Sequence, residues 1–326
     1  MAEETTTRGL TWYRGDCHVH SVFSSGGELT PQQLAVVARA AGLDFIATTE
    51  HNSADSHQLW APLVGDDLLV ILGQEVVTES GHWLALGLDT GTVIDWRYSA
   101  DDNTIDSWLH RVHERGGLCV AAHPHAPYPT GTFHYSYDGF DAVEVWNGLW
   151  TSHRPWNADN EAGLADWTRS LADDVRRGSW RPALGDSDTH QVGQLGTPMT
   201  VVAAERLSAE AILAGIRAGR SWLAESADTQ LSFTAEAAGE SAEIGETLST
   251  HGHPVSVRTE VSGVPSGIVS IHTQRGEVRR ETLSSSEDGS GVVEWSTNAG
   301  ESAFIRVEVR HPDGLMAALT NPIILA

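Results

Sequence analysis

The sequence predicts an α/β fold, in which a parallel sheet closes into a barrel and a small all-β sandwich follows. Over roughly the first 225 residues, strand-like apolar runs alternate with helical patterns, and about seven such units are enough to close a barrel. Beyond that point, short alternating strands follow one another without helices and are separated by Gly, Pro, Ser and Asn. We therefore predict a barrel domain over residues 1–227 and an immunoglobulin-like sandwich over residues 228–326.

The first predicted strand, residues 10–13, leads into a segment that contains His18 and His20. Because side chains alternate across a strand, both histidines would point to the same face and could bind one metal ion. Taken alone this pair is weak support, since paired histidines also occur at surfaces and core edges.

A helix is predicted to begin at Pro31, with Thr30 as its N-cap, and to end at Gly42. The continuous apolar run 44–49 then forms a strand that ends just before His51. This strand–helix–strand unit places polar residues at the ends of its strands.

The same arrangement recurs along the chain. Further predicted strands cover residues 68–72, 82–88, 118–122, 140–145, 182–184, 200–202 and 221–223, and further helices cover residues 103–115, 158–177 and a stretch capped by Ser208. The strand 82–88 could be an antiparallel return of the strand before it or a neighbouring strand. Chemistry in such barrels lies on the loops at the carboxyl ends of the strands. The polar residues expected to converge there are His18, His20, His51, Glu75, His123, Asp188 and His190.

Composition limits the possible functions. Acidic residues number 44 and basic residues 20, and all 20 basic residues are arginine, which excludes a lysine nucleophile, a Schiff base and a P-loop lysine. The formal net charge of -24 repels polyanions, so we predict neither a nucleic-acid partner nor a membrane partner.

The two cysteines, Cys17 and Cys119, lie in apolar strand-like contexts and form no spaced zinc motif. Buried free thiols suit a reducing compartment. The N-terminal residues 1–8 are polar, and no stretch approaches 18 consecutive apolar residues. We therefore predict a cytoplasmic protein.

An ordered set of short motifs resembles the polymerase and histidinol phosphatase (PHP) superfamily of metal-dependent hydrolases. The motifs are H-V-H at 18–20, T-E-H-N at 49–52, G-Q-E at 73–75, G-H at 81–82, A-H-P at 122–124 and D-S-D-T-H at 186–190. Within that superfamily the chain looks most like the CehA/McbA branch, typified by carbaryl hydrolase, in which a C-terminal β module also occurs. The resemblance implies a distorted (β/α)7 TIM-like barrel with two or three divalent metal ions.

By the pattern of that superfamily, one ion would be held by four residues, and a second ion would share one of them. The first set is His18, His20, Glu75 and Asp188, and the second is Glu75, His123 and His82, of which His82 is the weakest candidate because it could instead pair with a backbone carbonyl. A third ion would lie between His51 and His190. Imidazole and carboxylate ligands suit zinc, manganese or iron, and the sequence does not choose among them.

Two departures from the superfamily pattern concern this third site. An aspartate often follows the H-x-H motif where this chain has Ser25, and T-D-H is common where this chain has Glu50. We therefore expect one or two tightly bound ions, two being the preferred number, with His51 and His190 holding a labile third ion or acting as general acid and electrophile. Together with Asp188, these two histidines are the predicted catalytic residues.

Four residues on loops facing the mouth are predicted substrate contacts: His125, Asn147, Arg154 and Trp146. A surface role is an equal alternative for the first three. Trp146, with Trp150 and Trp156, could line a pocket for an aromatic substrate or could pack in the core. Asp186 and Glu144 are expected to support the site or to be structural.

The predicted function is hydrolysis of a small-molecule ester by metal-activated water. The ester could be a phosphate mono- or diester, or a carboxylic or carbamate ester, and the scarcity of basic residues in the motif loops favours a neutral aryl substrate. One alternative is a binding or scaffold protein with a degenerate barrel, although structural metal sites are generally closed by protein ligands. A polymerase-associated editing role is a third reading, and the absence of a polymerase domain argues against it.

Overall fold

The computed structural model describes residues 6, 8–148, 156–286 and 288–326. The strands of the barrel region are β1 (Thr11–Val19), β2 (Phe45–Thr48), β3 (Leu69–Thr78), β4 (Gly81–Leu86), β5 (Leu118–Ala121), β6 (Ala142–Asn147), β7 (Ala183–Asp186), β8 (Met199–Ala204) and β9 (Ser221–Ala224). The helices are α1 (Pro31–Ala40), α2 (His57–Trp60), α3 (Ile105–His113), α4 (Ala158–Arg176) and α5 (Ala209–Arg217), with a 3-10 turn at Ala100–Asp102. The C-terminal strands are β10 (Gln230–Ala237), β11 (Glu240–Glu243), β12 (Thr247–Leu248), β13 (Val255–Ser262), β14 (Ile268–Thr273), β15 (Gly276–Thr282), β16 (Gly291–Thr297), β17 (Phe304–Arg310), β18 (Met316–Thr320) and β19 (Ile323–Leu325).

Helix α1 begins where its sequence predicts. The Thr30 side chain accepts a hydrogen bond from the Gln33 backbone N–H, and the Gln33 side chain accepts one from the Thr30 N–H, which completes a capping box ahead of Pro31. The helix is followed by Gly42 in the left-handed region at φ +74°. The connection then turns back into β2, so β1 and β2 run parallel.

The barrel region is a curled mixed sheet in the order β9-β8-β1-β2-β3-β4-β5-β6-β7. Strands β1 to β3 are parallel to one another, as are β5 to β7, but β4 is antiparallel to both of its neighbours. Only two residues separate β3 from β4, and a connection that short forms a hairpin and cannot return a parallel strand. Strands β8 and β9 are also antiparallel to their neighbours.

Strands β1 and β7 approach each other without forming a ladder. Within the described residues, a single parallel bridge joins Val19, the last residue of β1, to Thr189, three residues after the end of β7. The predicted mixed α/β fold is therefore confirmed, whereas a closed seven-stranded TIM-like barrel remains a prediction.

The C-terminal strands form two sheets, and the predicted immunoglobulin-like sandwich remains a prediction. One sheet has the order β11-β10-β13-β16, and the other contains β14, β15, β17, β18 and β19. The second sheet continues the barrel sheet, because β18 pairs with β9 in an antiparallel ladder. The boundary at residue 228 remains a prediction, since hydrogen bonding runs across it.

Arg306 of β17 packs this C-terminal module against α4. Its guanidinium is buried, donates to Glu308 at 2.7 Å and to Thr168 at 3.0 Å, and lies 5.5 Å from the ring centre of Trp167. The module is thus joined to the barrel region by a continuous ladder and by a buried ion pair against a helix.

The two cysteines are placed as the sequence predicts. Cys17 and Cys119 are both buried and free. No helix in the described part of the chain is long and apolar enough to span a membrane.

Candidate metal centre

The polar residues that follow the strands converge at one edge of the curled sheet. His18 belongs to β1 and His20 follows it, His51 follows β2, and Glu75 lies within β3. The remaining members are His82 in β4, His123 after β5, and Asp188 and His190 after β7. These eight predicted ligands fall into three overlapping groups of potential metal-binding atoms: His18, His20, Glu75 and Asp188; Glu75, His82 and His123; and His20, His51 and His190.

The first group is fully enclosed by protein. Asp188 Oδ1 lies 3.3 Å from His18 Nε2 and 3.1 Å from His20 Nε2, and Glu75 Oε2 lies 3.4 Å from both imidazole nitrogens. Ligand atoms about 2.1 Å from a tetrahedrally coordinated ion are about 3.4 Å from one another. The spacing of the four atoms is therefore that of ligands around one ion.

Three of the four atoms of this group also lack a hydrogen bond among the described residues. The Nε2 atoms of His18 and His20 and the Oδ1 atom of Asp188 are buried and make no hydrogen bond within the described part of the chain. Buried polar atoms are rarely unpaired in folded proteins, because the loss of water is not compensated. A cation bound between these atoms would compensate it, so the residues present fit a divalent metal ion.

Glu75 links the first group to the second through its two carboxylate oxygens. Oε2 faces the first group, whereas Oε1 lies 2.8 Å from His82 Nδ1 and 3.1 Å from His123 Nε2. Strand β3 positions this carboxylate between the groups, since His82 lies across the β3–β4 hairpin. Glu75 is therefore placed to bridge two ions.

The third group consists of imidazoles only. The His20 ring lies 4.3 Å from the rings of both His51 and His190, and His51 Nε2 lies 3.1 Å from Glu75 Oε2. Ser25 is exposed and contributes no ligand atom to this group. Because His20 Nε2 already belongs to the first group, an ion here would be held chiefly by His51 and His190.

Hydrogen bonds at the far nitrogen orient two of the imidazoles. His18 Nδ1 lies 3.0 Å from Glu144 Oε1, and His190 Nδ1 lies 2.9 Å from the Asp188 carbonyl oxygen. Ionised carboxylates and carbonyl oxygens only accept, so each Nδ1 carries the hydrogen and each Nε2 keeps its lone pair. This is the tautomer in which a histidine binds metal through Nε2.

Glu50 accepts hydrogen bonds from two serines, and one of them orients the imidazole of His20. Its buried carboxylate accepts from Ser21 Oγ and Ser24 Oγ, each at 2.5 Å. Because Ser24 donates its proton to Glu50, its oxygen is free to accept from His20 Nδ1 at 3.0 Å and from the His51 backbone N–H at 2.9 Å. Glutamate is longer than the aspartate of a T-D-H motif, so Glu50 reaches the loop after H-x-H. Through Ser24 it positions the candidate ligands His20 and His51.

The charges of the cluster favour the protonation states that metal binding requires. Burial raises the pKa of Glu75 and of Asp188, but the neighbouring imidazoles outweigh burial, with His18 the largest contributor, and hold both pKa values below the ordinary value. Burial is the main cause that lowers the pKa of His20 to about 3. Two ionised carboxylates and a neutral imidazole are ligand forms ready for a cation.

His18 differs from His20 because three carboxylates surround it. Burial lowers its pKa, but Asp188, Glu144 and Glu75 together raise the pKa well above the ordinary value. A divalent ion would supply positive charge to the same carboxylates.

Two buried acids beneath the ligands cross-link the segments that carry them. Asp16 Oδ1 accepts from the Ser187 N–H at 3.0 Å, and Asp186 Oδ1 accepts from the Cys17 N–H at 2.7 Å. Burial raises the pKa of Asp16 to about 6, and burial together with the charge of Asp16 raises the pKa of Asp186 well above its ordinary value. Asp186 is thus a structural support, one of the two roles expected for it.

The predicted substrate contacts are only partly placed at the mouth. Trp146 is fully buried, with its ring 5.2 Å from Trp156, because the β6–β7 register shifts between Glu144 and Trp146 and turns the indole away from the site. The prediction that Trp146 contacts substrate is therefore corrected to core packing. Arg154 lies outside the described residues.

The other two predicted contacts have protein partners. Asn147 is buried beside the ligands and donates to Glu144 and to Asp188, so it supports the site instead of facing substrate. His125 is half-buried, and its Nε2 lies 2.8 Å from Asp166 Oδ2. It borders a small cavity that also reaches His123.

The sequence interpretation missed the role of Ser24 and left that of Glu144 open. The available signal was the acid Glu50 directly before the candidate ligand His51. Its hydrogen bond to Ser24 in the earlier loop is visible only in three dimensions. A fourth cluster, His113, Cys119 and Asp141, lies at the opposite ends of the strands, where Arg217 already pairs with Asp141 at 3.1 Å.

Comparison with known proteins supports the superfamily predicted from the motifs. A family model described as PHP-associated matches residues 170–221. An uncharacterized protein of Methanocaldococcus jannaschii is 26% identical over 161 residues, which cover 46% of this chain and 88% of that protein.

One solved structure shows a similar fold, and a second is matched less closely. A two-domain protein from Bacteroides vulgatus, described as containing a "predicted PHP-like metal-dependent phosphoesterase", matches 98% of both chains with a TM-score of 0.53 and 17% identity. PsfC from Pseudomonas syringae matches 63% of this chain and 87% of its own, with a TM-score of 0.45 and 18% identity. The first likeness extends the shared fold over both the barrel region and the C-terminal module.

Proposed function

We propose that this protein is a metal-dependent hydrolase that cleaves an ester bond in a small molecule. The observation that carries the proposal is the position of Glu75, whose two oxygens face two separate groups of candidate ligands. Paired ions held in this way supply Lewis acidity and lower the pKa of an attacking water. The predicted two tight ions, of zinc, manganese or iron, agree with this pair of carboxylate-containing groups.

His51 and His190 are the candidate groups for protonating the leaving oxygen. Their side chains are 28% and 20% exposed, whereas the side chains of the first group are almost entirely buried, so they face the mouth of the site. Burial lowers the pKa of His51, but the hydrogen bond to Glu75 and its charge outweigh burial and raise the pKa. A protonated imidazole at this position can donate a proton to an alkoxide or phenoxide as the bond breaks.

The substrate we propose is a small ester of low negative charge, as expected for the CehA/McbA branch. The chain has no lysine, and no arginine in the described part of the chain pairs with Glu75 or Asp188. Glu50 and Glu144 add two further buried acids next to the ligands. A carboxylic or carbamate ester, or a phosphodiester with a single charge, fits this environment better than a doubly charged monoester.

The test is hydrolysis of p-nitrophenyl phosphate, bis-p-nitrophenyl phosphate and 1-naphthyl N-methylcarbamate by manganese- and zinc-loaded protein. His20→Ala should abolish turnover, and His110→Ala, a surface histidine with a side chain 73% exposed, should not. Turnover confined to the phosphomonoester would contradict the proposed substrate class. No turnover of any ester by protein with both ions bound would instead favour a non-catalytic metal-binding scaffold.

Metal analysis of protein purified without added metal tests the number of ions. We expect two equivalents per chain. Three equivalents that survive extensive dialysis would contradict the expectation that the all-imidazole group holds no tight ion.

A further inference from the structure

We propose that Glu144 is an outer-sphere carboxylate that positions ligands of both ion groups, so that the affinity for each of the two ions depends on this one side chain. This inference rests on the proposed metal site. Glu144 lies in β6, directly behind the candidate ligands, and only 1% of its surface is exposed. It does not belong to any of the three groups of ligand atoms.

The first contact reaches a ligand of the first group. Glu144 Oε1 lies 3.0 Å from His18 Nδ1, and both side chains are buried. Because an ionised carboxylate only accepts hydrogen bonds, this contact holds His18 in the tautomer whose Nε2 lone pair points at Glu75 and Asp188.

The second contact reaches a ligand of the second group. Glu144 Oε2 accepts from the His123 backbone N–H at 2.7 Å. His123 has a φ of +24°, in a region that residues other than glycine rarely adopt. The hydrogen bond therefore stabilises the strained backbone conformation that carries the His123 imidazole to Glu75.

The third contact extends the same link to Asp188. Asn147 Nδ2 donates to Glu144 Oε2 at 3.1 Å and to Asp188 Oδ2 at 3.3 Å, which leaves Asp188 Oδ1 directed into the first group. Asn147 is itself held by Asn160 of α4, through one hydrogen bond in each direction at 3.0 Å. Asp188 also has a positive φ, +51°, so its carboxylate too depends on outside support.

One side chain thus accepts from donors in both groups at once. If Glu144 is removed, the imidazole of one group and the backbone of the other lose their support together. A residue that supports a single ligand would weaken a single ion.

Glu144→Gln is the sharpest variant, because it preserves size and removes one acceptor. The amide has one accepting oxygen and one donating nitrogen. If the oxygen stays on His123 N–H, the NH2 group faces His18 Nδ1 and favours the opposite tautomer, in which Nε2 carries hydrogen and cannot bind metal. If the amide turns round, the NH2 group opposes the His123 N–H.

The experiment measures the affinity of both ions by competition with a chelator, using zinc and then cobalt, whose visible spectrum reports coordination. Because Glu144→Gln loses one of the two contacts in either orientation of the amide, we expect it to weaken one ion by about 10- to 100-fold, whereas Glu144→Ala, which removes both contacts, should weaken both ions by that amount. Asp166→Asn is the matched control, since Asp166 pairs with the imidazole of His125 at 2.8 Å but lies outside the ligand groups. It should leave both affinities unchanged within about twofold.

Weakening of one ion alone in Glu144→Ala, or wild-type affinity for both ions in either variant, would overturn the proposal. If Glu144→Ala does not fold, Asn147→Ala provides a second test, and it should weaken the Asp188-containing group while leaving the other within about threefold. Unchanged affinity in that variant would also count against the link.

The outcome is separable from that of the proposed function. If the wild type binds two ions and hydrolyses nothing, the hydrolase proposal fails while the role of Glu144 is still decided by affinity. In metal-free protein, nitrogen NMR of the histidine rings should show His18 hydrogenated at Nδ1 and the signal altered in Glu144→Gln. An unaltered ring signal would contradict the contact itself.

Discussion

Ser24→Ala should damage both the stability of the protein and its affinity for metal, although serine to alanine is a small change. The Ser24 hydroxyl donates to the Glu50 carboxylate at 2.5 Å and accepts from His20 Nδ1 at 3.0 Å and from the His51 N–H at 2.9 Å. All three contacts involve atoms shielded from water, since Ser24, His20 and Glu50 are buried.

The magnitude follows from these three contacts. A hydrogen bond to a charged group contributes about 1.5–3 kcal/mol and a neutral one about 1 kcal/mol. Their loss should lower the free energy of unfolding of the metal-free protein by about 3–5 kcal/mol. Loss of the acceptor that fixes the His20 tautomer should also weaken the ion of the first group by about 10- to 100-fold.

The neighbouring serine provides the control. Ser25 is exposed and makes no side-chain hydrogen bond within the described part of the chain, so Ser25→Ala should change the free energy of unfolding by no more than about 0.5 kcal/mol. Urea unfolding of metal-free protein gives the free energy of unfolding, and chelator competition gives the affinity for metal. If Ser24→Ala matches Ser25→Ala in both, the Glu50–Ser24–His20 chain does not support the site.

Three further predictions concern the mouth of the site and the C-terminal module. His51→Asn and His190→Asn should each lower kcat by about 10²- to 10⁴-fold while two ions stay bound; loss of both ions on metal analysis would show a ligand role instead. The hydrogen bond to Glu225 raises the pKa of His311, so this pair stabilises the folded chain below the ordinary pKa of about 6.5, and the contribution is lost as pH rises through the folded pKa. In urea unfolding, the difference in unfolding free energy between wild type and His311→Gln should therefore be larger at pH 6 than at pH 8.5. An equal difference at both pH values would contradict this. Arg306→Met leaves the buried Glu308 without its main partner and should cost about 3–5 kcal/mol of unfolding free energy; Arg306→Met with Glu308→Gln should recover most of it, and equal unfolding midpoints for the single and double variants would refute the pairing.

The candidate ligands were predictable because they follow strands. When an apolar strand ends in His, Glu or Asp, the polar side chain lies at the edge of the sheet, whether or not the barrel closes. Glu75 and His123 therefore meet although the strands that carry them are separated by β4, which runs in the opposite direction. The hydrophobic periodicity does not show the direction of β4, because that direction depends on the two-residue connection after Thr78.

The errors arose where alternation along a strand is interrupted. Regular alternation would put Glu144 and Trp146 on the same face of β6, but the register shift between them places Asn147 beside Glu144 and turns Trp146 into the core. A bulge of this kind depends on the pairing of two strands. The sequence of one strand therefore does not reveal it.

The structure also separates candidate ligand histidines from buried histidines of another kind. His57 is as buried as His18, but its Nε2 donates to the Gly73 carbonyl at 2.9 Å and its Nδ1 accepts from the Gly91 N–H at 3.2 Å. Both ring nitrogens of His57 are satisfied, so it has no lone pair left for an ion. His18 has one nitrogen bonded to a carboxylate and the other buried without a hydrogen bond, directed at two further carboxylates. Away from water the second arrangement is costly, and a bound cation would remove that cost because it would give the buried lone pair and both carboxylates a common partner.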